Sequence, residues 1–221
     1  MDGNRRWASK RGLPGFVGHR HGLQAVQRVV DFCLEKSIDH LSLYVFSQEN
    51  MQRSTQEKEY LYATIIGESE QLIRNAQENN ICVRFVGDKQ LFPAQVQTTI
   101  ASIEQATAQS TRLHVDFLFG YTGQQEIVCA MQEIARAVER KELNADAITH
   151  EVITRYLWTY PSPPPDLIVR TGGFSRLSGF LLYHAAYAEL RFLDCLWPDL
   201  QKEDLHNVVQ DFYGCVRRFG S

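Results

Sequence analysis

Apolar residues recur along this chain in two alternating rhythms. After Gly22, the residues Leu23, Val26, Val30, Cys33 and Leu34 return at the three-to-four-residue spacing of a helix with one buried face. Residues 41–46 form a short apolar run, the mark of a strand covered on both sides. A long helix follows over 55–79, with Tyr60, Leu61, Thr64, Ile65, Leu72 and Ile73 on related faces. A strand over 81–86 stops at Gly87, and a helix over 93–108 starts on a proline, whose missing N–H costs little in a first turn. A strand over 113–119 ends at Gly120, and a helix covers 124–140. A buried strand over 167–169 and a closing helix over 202–214 complete the series. The alternation predicts an α/β fold with a largely parallel central sheet and helices on both faces, in a single domain over 1–221. Tyr183, Tyr187 and Phe192 read as core, as does the apolar stripe of the 55–79 helix. The linker-like stretch at 160–165, Tyr-Pro-Ser-Pro-Pro-Pro, stiffens the approach to the strand at 167.

Composition narrows the function classes. A net charge of −3 gives no excess basic face and argues against nucleic-acid binding. The cysteines (33, 82, 129, 195 and 215) are odd in number and form no C-x-x-C pair, which predicts reduced thiols rather than a disulfide framework or a zinc site. No apolar run reaches the length of a membrane span, and no signal peptide precedes the first polar motif, so a cytoplasmic protein is expected.

The chemistry concentrates in two places. Residues 1–8, MDGNRRWA, put a carboxylate, a glycine, an amide and two guanidiniums at a turn entering a helix. Such a turn suits a diphosphate and its metal ion: glycine lets backbone approach, and arginines neutralise charge. Asp2 is repelled by phosphate, so it suits a metal ligand or a group facing the reacting carbon. Residues 166–178, DLIVRTGGFSRLS, read as a buried strand opening into a glycine loop that carries Arg170, Arg176 and Ser178. Paired glycines let backbone bend around an anion, and forked guanidinium donors fit phosphate oxygens. In a parallel sheet ligands gather beyond the carboxyl ends of strands, where residues 47–53, 120–121 and 170–178 all fall.

These stretches, with GH at 18–19, LYVFSQENMQRS at 43–54, FVGD at 85–88, GYTGQQEI at 120–127, SGFLLYHAAYAEL at 178–190, LWPD at 196–199 and RRFG at 217–220, stand in the order of a known family. The chain resembles the cis-prenyltransferases of the undecaprenyl diphosphate synthase type. The resemblance implies Mg²⁺-dependent condensation of isopentenyl diphosphate with an allylic diphosphate such as farnesyl diphosphate, giving the precursor of a polyprenyl lipid carrier. It implies that Asp2 acts at the metal and at the allylic diphosphate, which Gly3, Asn4, Arg5, Arg6 and His19 cradle with Trp7 beside it. Ser47, Glu49, Asn50 and Arg53 would lie on a loop over the reacting carbons, with Asn50 assisting proton removal. Arg170, Arg176 and Ser178 would hold the isopentenyl diphosphate. Glu189, which alone reads as a helix-end charge, would be the second magnesium ligand. Arg218 and Gly220 match an R-x-G that crosses a homodimer interface, and the lipid product implies transient contact with a membrane surface.

Several positions depart from the family pattern. Related proteins carry a short apolar strand before the aspartate motif that this sequence does not include. Gly15 stands where an arginine is usual, with Arg20 the nearby substitute. Met51 replaces a tryptophan, Phe174 a glutamate, and Gly179 and Gly120 asparagines, while Gln124 and Gln125 replace an arginine-led pair. No D-D-x-x-D motif of the trans-prenyltransferases occurs. The departures keep open a short-chain or irregular-coupling synthase, and a non-catalytic subunit is the third alternative.

Overall fold

The computed structural model describes residues 1–216. Their order is α1 (Asn4–Ser9), α2 (Gly15–Glu35), β1 (His40–Ser47), α3 (Thr55–Glu78), β2 (Ile81–Val86) and α4 (Ala94–Thr107). Then come β3 (Leu113–Tyr121), α5 (Gly123–Glu139), α6 (His150–Tyr156), β4 (Leu167–Arg170), β5 (Glu189–Phe192) and α7 (Lys202–Tyr213).

The apolar runs at 41–46, 81–86 and 113–119 become β1, β2 and β3, paired in parallel in the order β1-β3-β2. The central strand, β3, is the most buried of the three; Leu113, Val115, Leu118, Phe119 and Tyr121 are all buried on it. Phe119 stacks on Phe92 with ring centroids 4.0 Å apart, and Phe46 and Phe85 close the same aromatic cluster. Helix starts follow local chemistry. The Ser54 hydroxyl accepts from the Glu57 N–H at α3, Pro93 precedes α4, and the Thr149 hydroxyl accepts from the Val152 N–H at α6. Residues Ala25, Val29, Phe32 and Cys33 of α2, with Val96, Ile100 and Ile103 of α4, complete the core.

The expected parallel arrangement holds in every described pairing, but the strands form two sheets rather than one. β4 and β5 pair with each other in parallel, and no described strand joins β4 to β1. A cavity of about 1430 Å³ lies between the two pieces, lined by residues 38–45 on one side and 166–170 on the other. The cavity explains α3: Leu61, Ile65 and Leu72 pack against the core but also line the void, and Ala76 alone on that helix is buried. The apolar stripe of α3 therefore serves packing and cavity wall together.

Two elements had no clear pattern in the chain. α6 is seven residues long and buries none of them, so it has no apolar period to read. β5 sits at an edge with Leu190 and Phe192 turned outward. The core expectation for this segment is corrected accordingly: Tyr187 is 67% exposed and Phe192 36% exposed, because nothing in the described chain covers the outer face of β5.

α1 docks on α2 across Gly18, where any Cβ would collide with the Asn4 carbonyl oxygen, a backbone atom that cannot step aside. Gly18→Ala is expected to destabilise the fold by about 2 kcal/mol, the usual cost of overpacking a tight contact. Urea denaturation measures it, and an unchanged midpoint would refute this account of the α1–α2 contact.

Candidate active site

The N-terminal motif is stitched to the end of β4. The Asp2 N–H donates to Thr171 Oγ1 at 3.1 Å, and the Thr171 hydroxyl donates to the Asp2 carbonyl at 2.8 Å. The Trp197 N–H donates to the same carbonyl at 3.0 Å. With its backbone held this way, the Asp2 side chain meets Arg170 Nη2 at 3.0 Å and Arg6 Nη2 at 3.4 Å. The loop after β4 is anchored too, with the Gly172 N–H on Cys195 O and the Gly173 N–H on Leu193 O. Gly172 has φ +93, and a Cβ there would lie 2.5 Å from Arg6 Nη2, so glycine is what lets the two motifs close on each other.

Asp2, Asn4, His19, Ser47, Glu49, Asn50, Arg53, Arg170, Arg176 and Ser178 all line the large cavity, as the sequence leads one to expect. They form its polar mouth. Behind them the wall turns apolar, with Leu23 and Val26 from α2, Leu61, Ile65 and Leu72 from α3, and Phe85 and Phe117 from the sheet. Arg170 Nη1 donates to Ser178 Oγ at 2.9 Å and to the Arg176 carbonyl, which ties the late loop into one unit. Ser47 caps the turn Gln48–Gln52. Asn50 Oδ1 accepts from the Ser47 N–H at 3.3 Å, which fixes the amide at the cavity wall. Burial, together with the positive charge of Arg53, pushes the His19 imidazole down to about 4, against a smaller opposing pull from Glu57. His19 is therefore a neutral hydrogen-bonding group at physiological pH.

Other expected residues lie elsewhere. Trp7 is buried away from the cavity with Ala8, Leu196 and Val17; its indole N–H donates to Asp199 Oδ1 at 2.6 Å, and Arg11 stacks on its ring. It fixes α1 to the LWPD turn and does not reach the mouth. Arg5 pairs with Glu57 at 3.3 Å beside Gly15, on a separate shallow depression. Arg20 is exposed and does not line the cavity. Gly3 and Arg6 do not line the cavity: Gly3, at φ +114 before α1, is buried against Leu196, and Arg6 lines the shallow depression with Arg5 while reaching Asp2 at 3.4 Å. Glu189 pairs with Arg191 at 3.2 Å and lies opposite Leu167, at the start of β4. Asp2 is bound three residues further along at Arg170, about 10 Å away at strand rise. The strand register thus puts Glu189 and the Asp2–Arg170 contact toward opposite ends of the β4–β5 pairing. Arg218 and Gly220 lie outside the described residues.

Thr171 is the functional residue that motif reading missed. It lies inside the DLIVRTGG stretch, but nothing in a lone threonine signals that its hydroxyl both accepts from and donates to the Asp2 backbone. Tyr44 is similar: its hydroxyl reaches the Tyr121 carbonyl at 3.1 Å and the Ser178 carbonyl at 3.4 Å, linking the three-stranded sheet to the loop after β4.

As for metal, no described group of three or more His, Cys, Asp or Glu side chains forms a cage. The unpartnered Asn4 Oδ1 is packed against Gly22. The Asp2 carboxylate on the cavity wall, sharing an ion with substrate phosphate oxygens, would be a sparse set of hard oxygen donors. That set fits Mg²⁺, which takes one or two carboxylates and shares substrate phosphate oxygens, and it does not fit zinc.

A parallel α/β scaffold with guanidiniums around a carboxylate at the mouth of a deep apolar cavity defines an enzyme acting on an amphipathic phosphorylated substrate. The family profile described as putative undecaprenyl diphosphate synthase matches residues 1–220, and the chain belongs to that family of prenyltransferases. A ditrans,polycis-undecaprenyl-diphosphate synthase of Pseudomonas aeruginosa, (2E,6E)-farnesyl-diphosphate specific, is 41% identical over 220 residues, covering all of this chain and 88% of its own. An isoprenyl transferase of Lactobacillus johnsonii is 40% identical over 223 residues, covering all of this chain and 93% of its own. Among solved structures, lavandulyl diphosphate synthase from Lavandula x intermedia, in complex with dimethylallyl diphosphate, superposes with a TM-score of 0.96 at 27% identity, covering 100% of this chain and 95% of that one. A probable undecaprenyl diphosphate synthase from Campylobacter jejuni gives a TM-score of 0.80 at 29% identity, covering 91% and 93%.

The lowered His19 pKa has a signed consequence. The unfolded chain takes up this proton near the ordinary value of 6.5 and the folded chain only near 4, so stability declines as pH falls through that window. NMR titration of the ligand-free protein should find the His19 ring neutral down to about pH 4, and His19→Gln should flatten that part of the stability–pH curve. A His19 pKa at or above the ordinary value would contradict the burial argument.

Proposed function

We propose that this prenyltransferase condenses isopentenyl diphosphate with farnesyl diphosphate and repeats the step to make undecaprenyl diphosphate, the assignment carried by its 41%-identical relative. The observation that carries the reading is the group of Asp2, Arg170 and Arg176 on the wall of a large, mostly apolar cavity, with Arg6 paired to Asp2 from outside it. At about 1430 Å³ the cavity exceeds the 300–1,000 Å³ of ordinary ligand pockets, which favours a long product over a short one.

The reaction breaks the allylic C–O bond, forms a C–C bond from the isopentenyl double bond to the allylic carbon, and releases a proton. Bond breaking leaves charge on the departing diphosphate and on the allylic carbon. Arg6 and the Asn4 amide at the N-terminal motif hold the leaving diphosphate, and neutral His19 donates to it without adding charge. Arg170, Arg176 and Ser178 hold the isopentenyl diphosphate next to it, with the Arg170–Ser178 hydrogen bond setting their orientation. The turn Gln48–Gln52 covers the reacting carbons and excludes water, and Asn50 on it faces the carbon that loses its proton. Magnesium, held by Asp2 and phosphate oxygens, would supply the positive charge that two adjacent diphosphates need.

The outward aromatics support a homodimer built on the β5 side. Tyr187, Phe192, Tyr213 and Val216 expose apolar surface at that edge and at the end of α7. No described helix is long and apolar enough to cross a membrane, so release of a lipid product would proceed by transient contact with the bilayer surface.

Incubation with farnesyl diphosphate, labelled isopentenyl diphosphate and magnesium should yield long polyprenyl diphosphates. Products that stop after one or two additions would refute the undecaprenyl assignment. Asp2→Ala should lower kcat by about 10²–10³-fold, the usual cost of losing an electrostatic group aimed at developing charge. It should leave the fold intact, because Thr171 and Trp197 hold the Asp2 backbone rather than its carboxylate. Arg176→Ala should chiefly raise the KM for isopentenyl diphosphate, and equal mild effects from both variants would count against these roles.

A further inference from the structure

Phe174 occupies an unusual place in this site. It follows Gly172 and Gly173, both in the left-handed region at φ +93 and +71, and its ring lies against three guanidiniums. The guanidinium carbon of Arg176 lies 4.3 Å from the ring centroid, that of Arg6 lies 4.6 Å away, and that of Arg170 5.9 Å away. One ring thus carries guanidiniums from both motifs: Arg6 from the N-terminal turn, Arg170 and Arg176 from the late loop. Among the described residues Arg176 is within ion-pair distance of no carboxylate. It is exposed, and the Phe174 face is the support its guanidinium has.

The physical consequence follows from what an aromatic face can and cannot do. Its quadrupole attracts a guanidinium within about 6 Å of the centroid. It offers no lone pair, so it consumes none of the five N–H donors on each arginine. A carboxylate in the same place would also gather the arginines, but it would use up their donors and cancel a positive charge. The Phe174 ring gathers them and leaves charge and donors free for an anion. Side-chain ordering is a principal cost of binding, and a guanidinium already resting on a ring has less of it to lose.

We propose that Phe174 is a positioning residue that holds Arg6 and Arg176 jointly in their phosphate-binding orientations, so that it sets the affinity of both diphosphate subsites at once. The inference rests on the assignment of those arginines to the two diphosphates. It goes further in making the two subsites share one neutral support.

The test uses the full chain and inorganic pyrophosphate with magnesium as the calorimetric probe. Phe174→Leu keeps an apolar side chain of similar size and removes the π face; Phe174→Tyr keeps the face. Phe174 is 36% exposed on a loop, so neither change threatens the core, and thermal melts of both variants should match the parent. Phe174→Leu should weaken pyrophosphate binding about five-fold, a loss of about 1 kcal/mol, while Phe174→Tyr stays within about two-fold of the parent. In turnover, Phe174→Leu should raise both KM values together and leave kcat within about two-fold, the pattern of lost ground-state binding. If the parent binds pyrophosphate and Phe174→Leu binds it equally well, the inference is wrong while the functional reading stands. A rise in only one KM, or equal losses in the Leu and Tyr variants, also overturns it. A parent that binds no pyrophosphate and transfers no prenyl group overturns the functional reading itself.

Discussion

The structure depends on one long-range tie: Asp2 bound to the end of β4. Its backbone is fixed by Thr171 and by the Trp197 N–H, and its carboxylate meets Arg170 at 3.0 Å across 168 residues of sequence. The side chains at this junction are only partly exposed, 34% for Asp2 and 16% for Arg170, so water screens the pair less than it would a surface ion pair. The tie also determines what else can meet. With Asp2 there, α1 must dock on α2 through Gly18, Trp7 must insert beside the LWPD turn, and Arg6 must lie against Gly172. Each contact is short-range and ordinary by itself. Together they place a carboxylate and several guanidiniums at one edge of a cavity.

That cavity is polar where it meets the arginines and apolar beyond them, and it lies between two parallel sheet fragments rather than inside a closed core. A polar head and a hydrocarbon tail therefore have separate places in one continuous space. The chemistry asks for the same division: a charged leaving group stabilised at the mouth and a reactive allylic carbon kept from water just inside it. The polarity gradient along the wall thus links the fold to prenyl transfer, and α3 serves it by packing with one part of its apolar stripe and lining the void with another.

Much of this was legible in the residues. The alternation of short apolar runs with helical periods specified β1 to β4 and the main helices, because buried parallel strands leave continuous apolar runs that survive without tertiary information. The mouth was legible because its residues cluster after strand ends. Three features were not. Thr171 works through backbone contacts that no local pattern encodes. Glu189 read by itself as a helix-end charge, yet it opens β5 opposite Leu167, a place set by the register of β5 on β4, and register is a tertiary fact. Tyr187 and Phe192 were expected inside, yet β5 is an edge with nothing described over its outer face. Aromatic content alone does not separate a core from an outward-facing edge.

The most direct measurement is a crystal structure of the protein with magnesium, isopentenyl diphosphate and a non-ionisable thio analogue of farnesyl diphosphate. The account predicts both diphosphates side by side at the mouth, one against the N-terminal turn and one against Arg170, Arg176 and Ser178, with the metal on Asp2 and the hydrocarbon tail running along α3. Diphosphates bound in two unconnected places, or a tail lying outside the cavity, would contradict it.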